Sequence, residues 1–193
     1  FSAFMDRFII LTFIGDLYFV GLYALFYRIS QLGSLVITII SKGFLPVMYE
    51  NYNNFEGRQF NKKVFDLFII FLIPVFIFIL FTKNIFIDIL GGKNSLEYLS
   101  YSALLPSIFL SNIIFNGMAL NGFGFTIKRK TIYITYISLL SVLLNYSICY
   151  IFVPVYGFSV VISSTLLSAI ISSSIYTFFS EKLYSFNYNL KLM

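Results

Sequence analysis

Six apolar stretches, separated by shorter polar segments, constrain this chain more than any other feature of its sequence. They cover residues 1–14, 18–44, 64–81, 98–120, 132–153 and 158–179. Mean hydropathy is +0.90 and only 11% of the residues are charged, whereas soluble domains carry about 25%. Because a helix needs about 20 apolar residues to cross a hydrocarbon core about 30 Å thick, the sequence predicts an all-α integral membrane protein, a six-helix transmembrane bundle.

The polar segments predict where the helices end. Pro46 and the polar run 49–54 are expected to end the second helix, since proline removes a backbone donor. Pro74 predicts a kink in the third helix, and 85–90 is too short to span, so it is expected to lie along the membrane interface. Residues 154–157 predict a tight turn.

The first stretch is shorter than a membrane span, so we interpret the chain as beginning inside a helix of a longer protein. On this interpretation residues 1–182 form one transmembrane unit and residues 183–193 form a polar tail.

The basic residues are distributed unevenly between the two sides of the predicted bundle. Lys83 and Lys93 fall on one side. The other side holds Lys42, Arg58, Lys62, Lys63, Lys128, Arg129, Lys130, Lys182 and Lys191. Because cytoplasmic loops carry an excess of lysine and arginine, this side and the C-terminus are expected to face the cytoplasm.

Composition excludes several function classes. The chain contains no histidine and no tryptophan, and Cys149 is its only cysteine. Histidine-dependent catalysis and histidine metal sites are therefore excluded, as is an internal disulfide. The net charge of +5 is spread over loops, without the aromatic-interleaved basic patch that indicates nucleic-acid binding.

Three ionisable residues lie inside the first two apolar stretches. Arg7 is eight residues before Gly15, and Arg28 is seven residues after Gly21, which places the two arginines about 12 Å and about 10 Å along antiparallel helices. Ionisable groups at such depth usually mark a transport pathway, so we expect at least one arginine to meet an anionic substrate. The sequence also permits a structural pair of Asp6 with Arg28, leaving Arg7 free, or the reverse.

The uncharged polar residues have two interpretations each. Asn112, Asn116 and Asn145 line a cavity or, as we favour, form hydrogen bonds between helices. Three serines recur every four residues, at positions 164, 168 and 172, and this spacing favours close helix packing. Residues 128–130 are interpreted first as a topology determinant and second as a contact for anionic lipids.

Several short motifs, in a specific order, resemble those of a known transporter family. They are Asp6-Arg7, the Gly-Leu-Tyr-Ala run at 21–24, the Tyr-Arg-Ile-Ser-Gln-Leu run at 27–32, Leu144-Asn145, and the Val-Pro-Val-Tyr-Gly run at 153–157. This arrangement resembles the C-terminal half of O-antigen and capsular polysaccharide repeat-unit flippases (Wzx-type), which belong to the MATE-like multidrug/oligosaccharidyl-lipid/polysaccharide exporter superfamily.

The resemblance implies a fold and a function. The chain would be one lobe of a twelve-helix exporter that moves polyprenyl-pyrophosphate-linked oligosaccharide across the bacterial cytoplasmic membrane by alternating access, with no enzymatic step and no cofactor. Arg7 and Arg28 would bind the pyrophosphate, and Asp6 would couple transport to an ion. Asn112 and Asn116 are the further candidate substrate-binding residues. Besides membrane lipids, the expected partner is a missing N-terminal six-helix lobe or a second copy.

Two other function classes compete with this interpretation. A drug or cation exporter of the same fold would favour acidic and aromatic cavity residues over arginines. A membrane enzyme of polysaccharide assembly would need catalytic groups on a long outer loop, and residues 82–97 offer only Lys83, Asp88, Lys93 and Glu97. A half-transporter with a purely structural role is the remaining alternative.

Overall fold

The computed structural model describes residues 2–52 and 55–184. Within these ranges the chain is helical, without strands. The helices are α1 (Ser2–Phe13), α2 (Leu17–Glu50), α3 (Phe55–Leu90), α4 (Ser95–Leu99), α5 (Leu105–Asn121), α6 (Phe123–Ile127), α7 (Ile132–Tyr156) and α8 (Phe158–Leu183), with single 3-10 turns at Gly92–Asn94 and Ser102–Leu104.

Five helical segments of the described chain are long and apolar enough to cross a membrane. They are Leu17–Glu50, Glu56–Leu90, Ser102–Ile127, Ile132–Tyr156 and Phe158–Leu183. The prediction of a helical membrane protein is therefore confirmed in its general form. The first predicted span corresponds to α1, whose 12 residues extend about 18 Å and fall short of the hydrocarbon thickness.

The prediction that Pro46 ends the second helix is wrong. α2 continues through Pro46 to Glu50. Asn51 then caps the helix, because its backbone N–H and its side-chain amide both donate to the Val47 carbonyl. An interior proline costs about 3 kcal/mol of helix stability. In lipid, however, a continuous helix provides hydrogen-bond partners for the remaining backbone N–H and carbonyl groups, whereas an interrupted helix leaves some of these groups unpaired.

The third helix is also longer than the predicted 64–81. α3 begins at Phe55, so the predicted loop with Lys62 and Lys63 is helical, and it ends at Leu90, so residues 85–90 continue the helix instead of forming a separate interfacial segment. The helix stops only at Gly91 and Gly92, where Gly92 has φ +59°. Glycine adopts this left-handed conformation without a steric penalty.

Two other boundaries shift for similar reasons. The fourth predicted helix, 98–120, is divided into short α4, a 3-10 turn and α5, with Pro106 in the first turn of α5, where its missing N–H costs least. The predicted turn at 154–157 shrinks to Gly157, because α7 continues through Pro154 to Tyr156. Gly157 has φ +67° and reverses the chain into α8.

Aromatic contacts define the end of the bundle at which α1 meets α2 and α7 meets α8. The Phe19 ring stacks on Phe158 with centroids 5.0 Å apart and meets Tyr101 edge-on at 5.6 Å. We call this the turn end, since the turns at Gly15 and Gly157 lie there.

A second aromatic group defines the opposite end. Phe123 stacks on Tyr49 at 4.8 Å and meets Tyr184 at 5.6 Å, and the Tyr184 hydroxyl donates to the Tyr52 carbonyl. We call this the basic end, because the basic 128–130 segment follows α6 there. α2 and α8 therefore run parallel, each from the turn end to the basic end.

α5 is the central helix of the bundle. It packs against α2, α8 and α3, while α7 packs against α8. In the most apolar part of the membrane-length segment that contains α5, half of the residues are buried. In the corresponding part of α3, 17% of the residues are buried. α1 packs against α2, α7 and α8, and this position brings its aspartate into the bundle interior.

Candidate functional site

Asp6 is buried at the point where four helices meet. It shares one face of α1 with Ile9 and Ile10, three and four positions later, and none of the three is more than 1% exposed. Residues at this spacing lie on the same side of a helix. The apolar packing of Ile9 and Ile10 against α2, α7 and α8 therefore carries the carboxylate into the interior as well.

Side chains from three other helices surround the Asp6 carboxylate. The Tyr23 hydroxyl on α2 donates to Oδ2, and the Asn145 amide on α7 donates to Oδ1 at 2.6 Å. On α8, Thr165 Oγ1 lies 3.4 Å from Oδ2 but 2.7 Å from the Val161 carbonyl, so its single proton serves one acceptor or the other. We call Asp6, Tyr23, Asn145 and Thr165 the aspartate cluster.

A second layer of contacts orients the Asn145 amide. Ser164 donates to Asn145 Oδ1 at 2.6 Å, and the Cys149 thiol lies 3.6 Å from the same oxygen and 2.9 Å from Ser164 Oγ. With its oxygen held in this way, the Asn145 side chain directs its NH₂ group toward Asp6. Buried polar groups that are hydrogen-bonded on all sides hold one geometry.

No basic nitrogen of the described residues lies within salt-bridge distance of the Asp6 carboxylate. The alternative in which Asp6 pairs with Arg28 is therefore wrong. Tyr23 faces Asp6, and Arg28 follows Tyr23 by five positions, which places it about 140° away around α2. Arg28 is accordingly exposed.

Arg7 lies next to the cluster without joining it. It follows Asp6 directly and projects about 100° away around α1. The residue is half-buried, and its Nε is buried with no hydrogen-bond partner among the described residues. A buried guanidinium nitrogen without an acceptor is costly, so an acceptor from outside the described chain would stabilise this position.

The two candidate asparagines of α5 have different environments. Asn112 donates to Ser30 Oγ on α2, which is the bond between helices that we favoured from the sequence. Asn116 is exposed, and its amide donates to the Asn112 carbonyl of its own helix at 2.8 Å. Neither residue reaches the aspartate cluster.

The sequence indicated only part of this site. Asp6 and Asn145 stand out in the sequence as polar residues within apolar stretches. Tyr23 and Thr165 do not, because tyrosine and threonine are common in apolar membrane helices. The three serines 164, 168 and 172 are all buried on α8, as the packing interpretation predicted. Ser164 also hydrogen-bonds within the site.

The aspartate cluster can hold a proton or a small cation at its carboxylate. It offers one carboxylate and several neutral oxygens, and no group of three or more Cys, Asp or Glu side chains of the described residues is arranged to hold a metal ion. A carboxylate in an apolar interior favours either protonation or an added positive charge.

Comparison of the chain with protein-family models, with curated proteins and with solved structures gave no match.

Proposed function

We propose that this chain is one lobe of a flippase that moves polyprenyl-pyrophosphate-linked oligosaccharides across the bacterial cytoplasmic membrane, coupled to a cation that binds at Asp6. The observation that carries the proposal is the presence of two opposite charges, unpaired among the described residues, at adjacent positions of one apolar helix. A buried carboxylate without a basic partner lies next to Arg7, whose buried Nε lacks an acceptor. Ionisable groups inside membrane helices mark transport pathways.

The two arginines are the proposed pyrophosphate ligands. Arg28 lies 11 residues after the start of α2, about 17 Å along the helix, and it is exposed on the single lobe together with Gln31. Lipid contact at this depth would be costly, so this face is proposed to border a polar cavity. Guanidinium groups bind phosphate oxygens in a bidentate geometry, and the exposed amide of Asn116 is proposed to contact the sugar.

The cavity is proposed to be completed by an N-terminal lobe or by a second copy of the chain. A single bundle leaves the Arg28 face uncovered, and alternating access requires two units that move against each other. The basic end is proposed to face the cytoplasm, in agreement with the excess of lysine and arginine there.

Asp6 is the proposed coupling residue. A proton or small cation at Asp6 would neutralise a buried charge that four helices share. Its departure would leave an uncompensated charge and weaken the packing of α1 against α2, α7 and α8. The occupancy of Asp6 thereby biases the position of α1, and with it the position of Arg7.

Substitution of Arg28 tests the proposal. In the full-length protein we expect Arg28→Ala to abolish surface polysaccharide while leaving membrane insertion intact, and Arg28→Lys to retain only part of the activity, because lysine lacks the planar fork. Lys42→Ala, an exposed position on the same helix, is the control and should export normally. Normal surface polysaccharide from Arg28→Ala would contradict the assignment of Arg28 as a pyrophosphate ligand. Export of lipophilic cations without polysaccharide transfer would favour the drug-exporter alternative.

A further inference from the structure

A cavity of about 350 Å³ lies between α5, α7 and α8 in the half of the bundle nearer the basic end. Its apolar wall includes Phe115 and Met118 of α5 and Leu139 and Val142 of α7. It extends along α7 from Thr135, which lies one turn after the start of the helix and is exposed. The cavity therefore begins close to the basic 128–130 segment.

Four hydroxyl groups line this cavity, and none of them has a hydrogen-bond partner among the described residues. They belong to Thr135, Ser138, Ser141 and Ser172. Hydroxyls in helices usually donate to a carbonyl one turn earlier, as Ser147 does on α7 and Ser174 does on α8. Ser172 is 1% exposed and its Oγ is buried without a partner.

Unpartnered hydroxyls around an open volume indicate bound water. A cavity with a wholly apolar lining stays dry, whereas a buried water needs two to four polar partners. The hydroxyls of α7 supply such partners, as does Ser172 of α8, whose buried Oγ has no partner among the described residues.

A narrow gap lies between this cavity and the aspartate cluster. The gap holds about 10 Å³ and shares Phe115, Ser141 and Val142 with the cavity. Its other wall includes Asn145 and Thr165, which both contact Asp6. This volume is about that of a single water probe, so a hydrated metal cation would not fit, whereas a proton can pass along hydrogen-bonded water and hydroxyl groups.

We infer that the cavity between α5, α7 and α8 is a hydrated vestibule through which protons reach Asp6 from the basic end. The path runs from Thr135 past Ser141 to Asn145, ten residues or about 15 Å along α7. None of the described residues that line the cavity or the gap belongs to α2, the helix that carries Arg28, so the proton and the anionic substrate would use separate entrances. The inference rests on the proposed coupling role of Asp6 and identifies the coupling ion as a proton.

Cysteine labelling tests whether the vestibule holds water. Ser141→Cys in the full-length protein should react at least about tenfold faster than Ser174→Cys with a charged methanethiosulfonate reagent added at the basic end, because only a hydrated thiol ionises readily. Ser174 is the matched control, since it is exposed on α8 two positions from Ser172 and does not line the cavity. The fully buried Cys149 should stay unmodified in the parent protein. Equal slow reaction at both positions, or modification of Ser141→Cys by lipid-soluble reagents alone, would overturn the inference.

Filling the vestibule tests whether it conducts protons. In proteoliposomes with an internal pH dye, Ser141→Leu should lower proton-driven flux by about tenfold, an increase of about 1.4 kcal/mol in the activation free energy, while Ser174→Leu should not. Unchanged flux in Ser141→Leu would overturn the inference.

Asp6→Asn should abolish coupled flux without changing the labelling of Ser141→Cys. If Asp6→Asn leaves coupled flux intact, the coupling role of Asp6 is wrong, whatever the labelling shows about water.

Discussion

At the scale of single residues, the bond of Asn145 to Asp6 explains how a carboxylate is held inside an apolar bundle. Each Asp6 oxygen receives at least one hydrogen bond, and the Asn145 amide is itself held by Ser164. Neutral donors of this kind make burial of the charge tolerable without cancelling it. A carboxylate stabilised in this way can bind and release a proton or a cation, whereas a carboxylate in a permanent ion pair could not.

Asp6→Asn should abolish ion-coupled export while preserving the fold. The amide is nearly isosteric and keeps one acceptor oxygen, but it cannot bind a proton or carry charge, so we expect at least about a tenfold loss of gradient-driven transport. The measurement is transport with and without an imposed gradient in reconstituted protein. Asp88→Asn, at an exposed position on α3, is the control, and retention of full coupling in Asp6→Asn would contradict the assignment.

Tyr23→Phe removes one hydrogen bond to Asp6 and retains the aromatic ring. Because hydrogen bonds to charged groups contribute about 1.5–3 kcal/mol, we expect a lower thermal stability of the protein in detergent and a shifted pH dependence of coupled transport. Tyr27→Phe is the comparison, since Tyr27 stacks beside Tyr23 at 6.3 Å and makes no bond to Asp6. Identical pH profiles for Tyr23→Phe and the parent protein would show that the hydroxyl does not act on the carboxylate.

At the scale of helices, the crossing of α2 and α5 depends on a glycine. Gly33 is buried against the Phe109 ring, and a Cβ at this position would lie 2.6 Å from Phe109 Cζ and 3.1 Å from Ile113 Cδ1. Small residues permit this close approach, which drives association of helices in lipid where the hydrophobic effect does not.

Gly33→Ala should therefore destabilise the bundle. Overpacking of this kind typically costs about 1–3 kcal/mol, which should appear as a lower midpoint of thermal unfolding in detergent. Gly43→Ala is the control on the same helix, because a Cβ there meets nothing within 4 Å and alanine has the higher helix propensity. Equal midpoints for the two variants would show that α2 and α5 do not pack through Gly33.

At the scale of the whole molecule, the parallel course of α2 and α8 places the connections between the described helices at one of two ends. Lys93 lies in the segment between α3 and α4 at the turn end, and Lys128 follows α6 at the basic end. Both residues are exposed. An excess of basic residues at one end predicts that this end faces the cytoplasm.

Accessibility in intact cells tests this orientation. Lys93→Cys should react with a membrane-impermeant thiol reagent added outside, whereas Lys128→Cys should react only after the cells are permeabilised. The buried Cys149 gives the background. Labelling in the reverse order would place the basic end outside and would contradict the proposed orientation.

The sequence by itself determined the class of fold and identified the polar residues that are candidates for a functional role. Apolar runs of about 20 residues permit only helices in lipid. The cost of burying an ionisable group makes Asp6 and Arg7 functional candidates from the sequence alone. The ends of the helices were less predictable. α2 passes Pro46 and α3 extends from Phe55 to Leu90, because hydrogen bonding within a continuous helix outweighs local breaking signals.

Only the tertiary structure decided which polar groups meet. Asp6 is separated from Asn145 by 139 positions and from Thr165 by 159, and no helical periodicity links residues so far apart. Their contact follows from the packing of α1 against α2, α7 and α8, which orients Tyr23 toward the carboxylate and turns Arg28 away. The direction in which each side chain projects from its helix is a property of the packed bundle, and so is the crossing of α2 and α5 at Gly33. The sequence alone therefore could not identify the partner of Asp6.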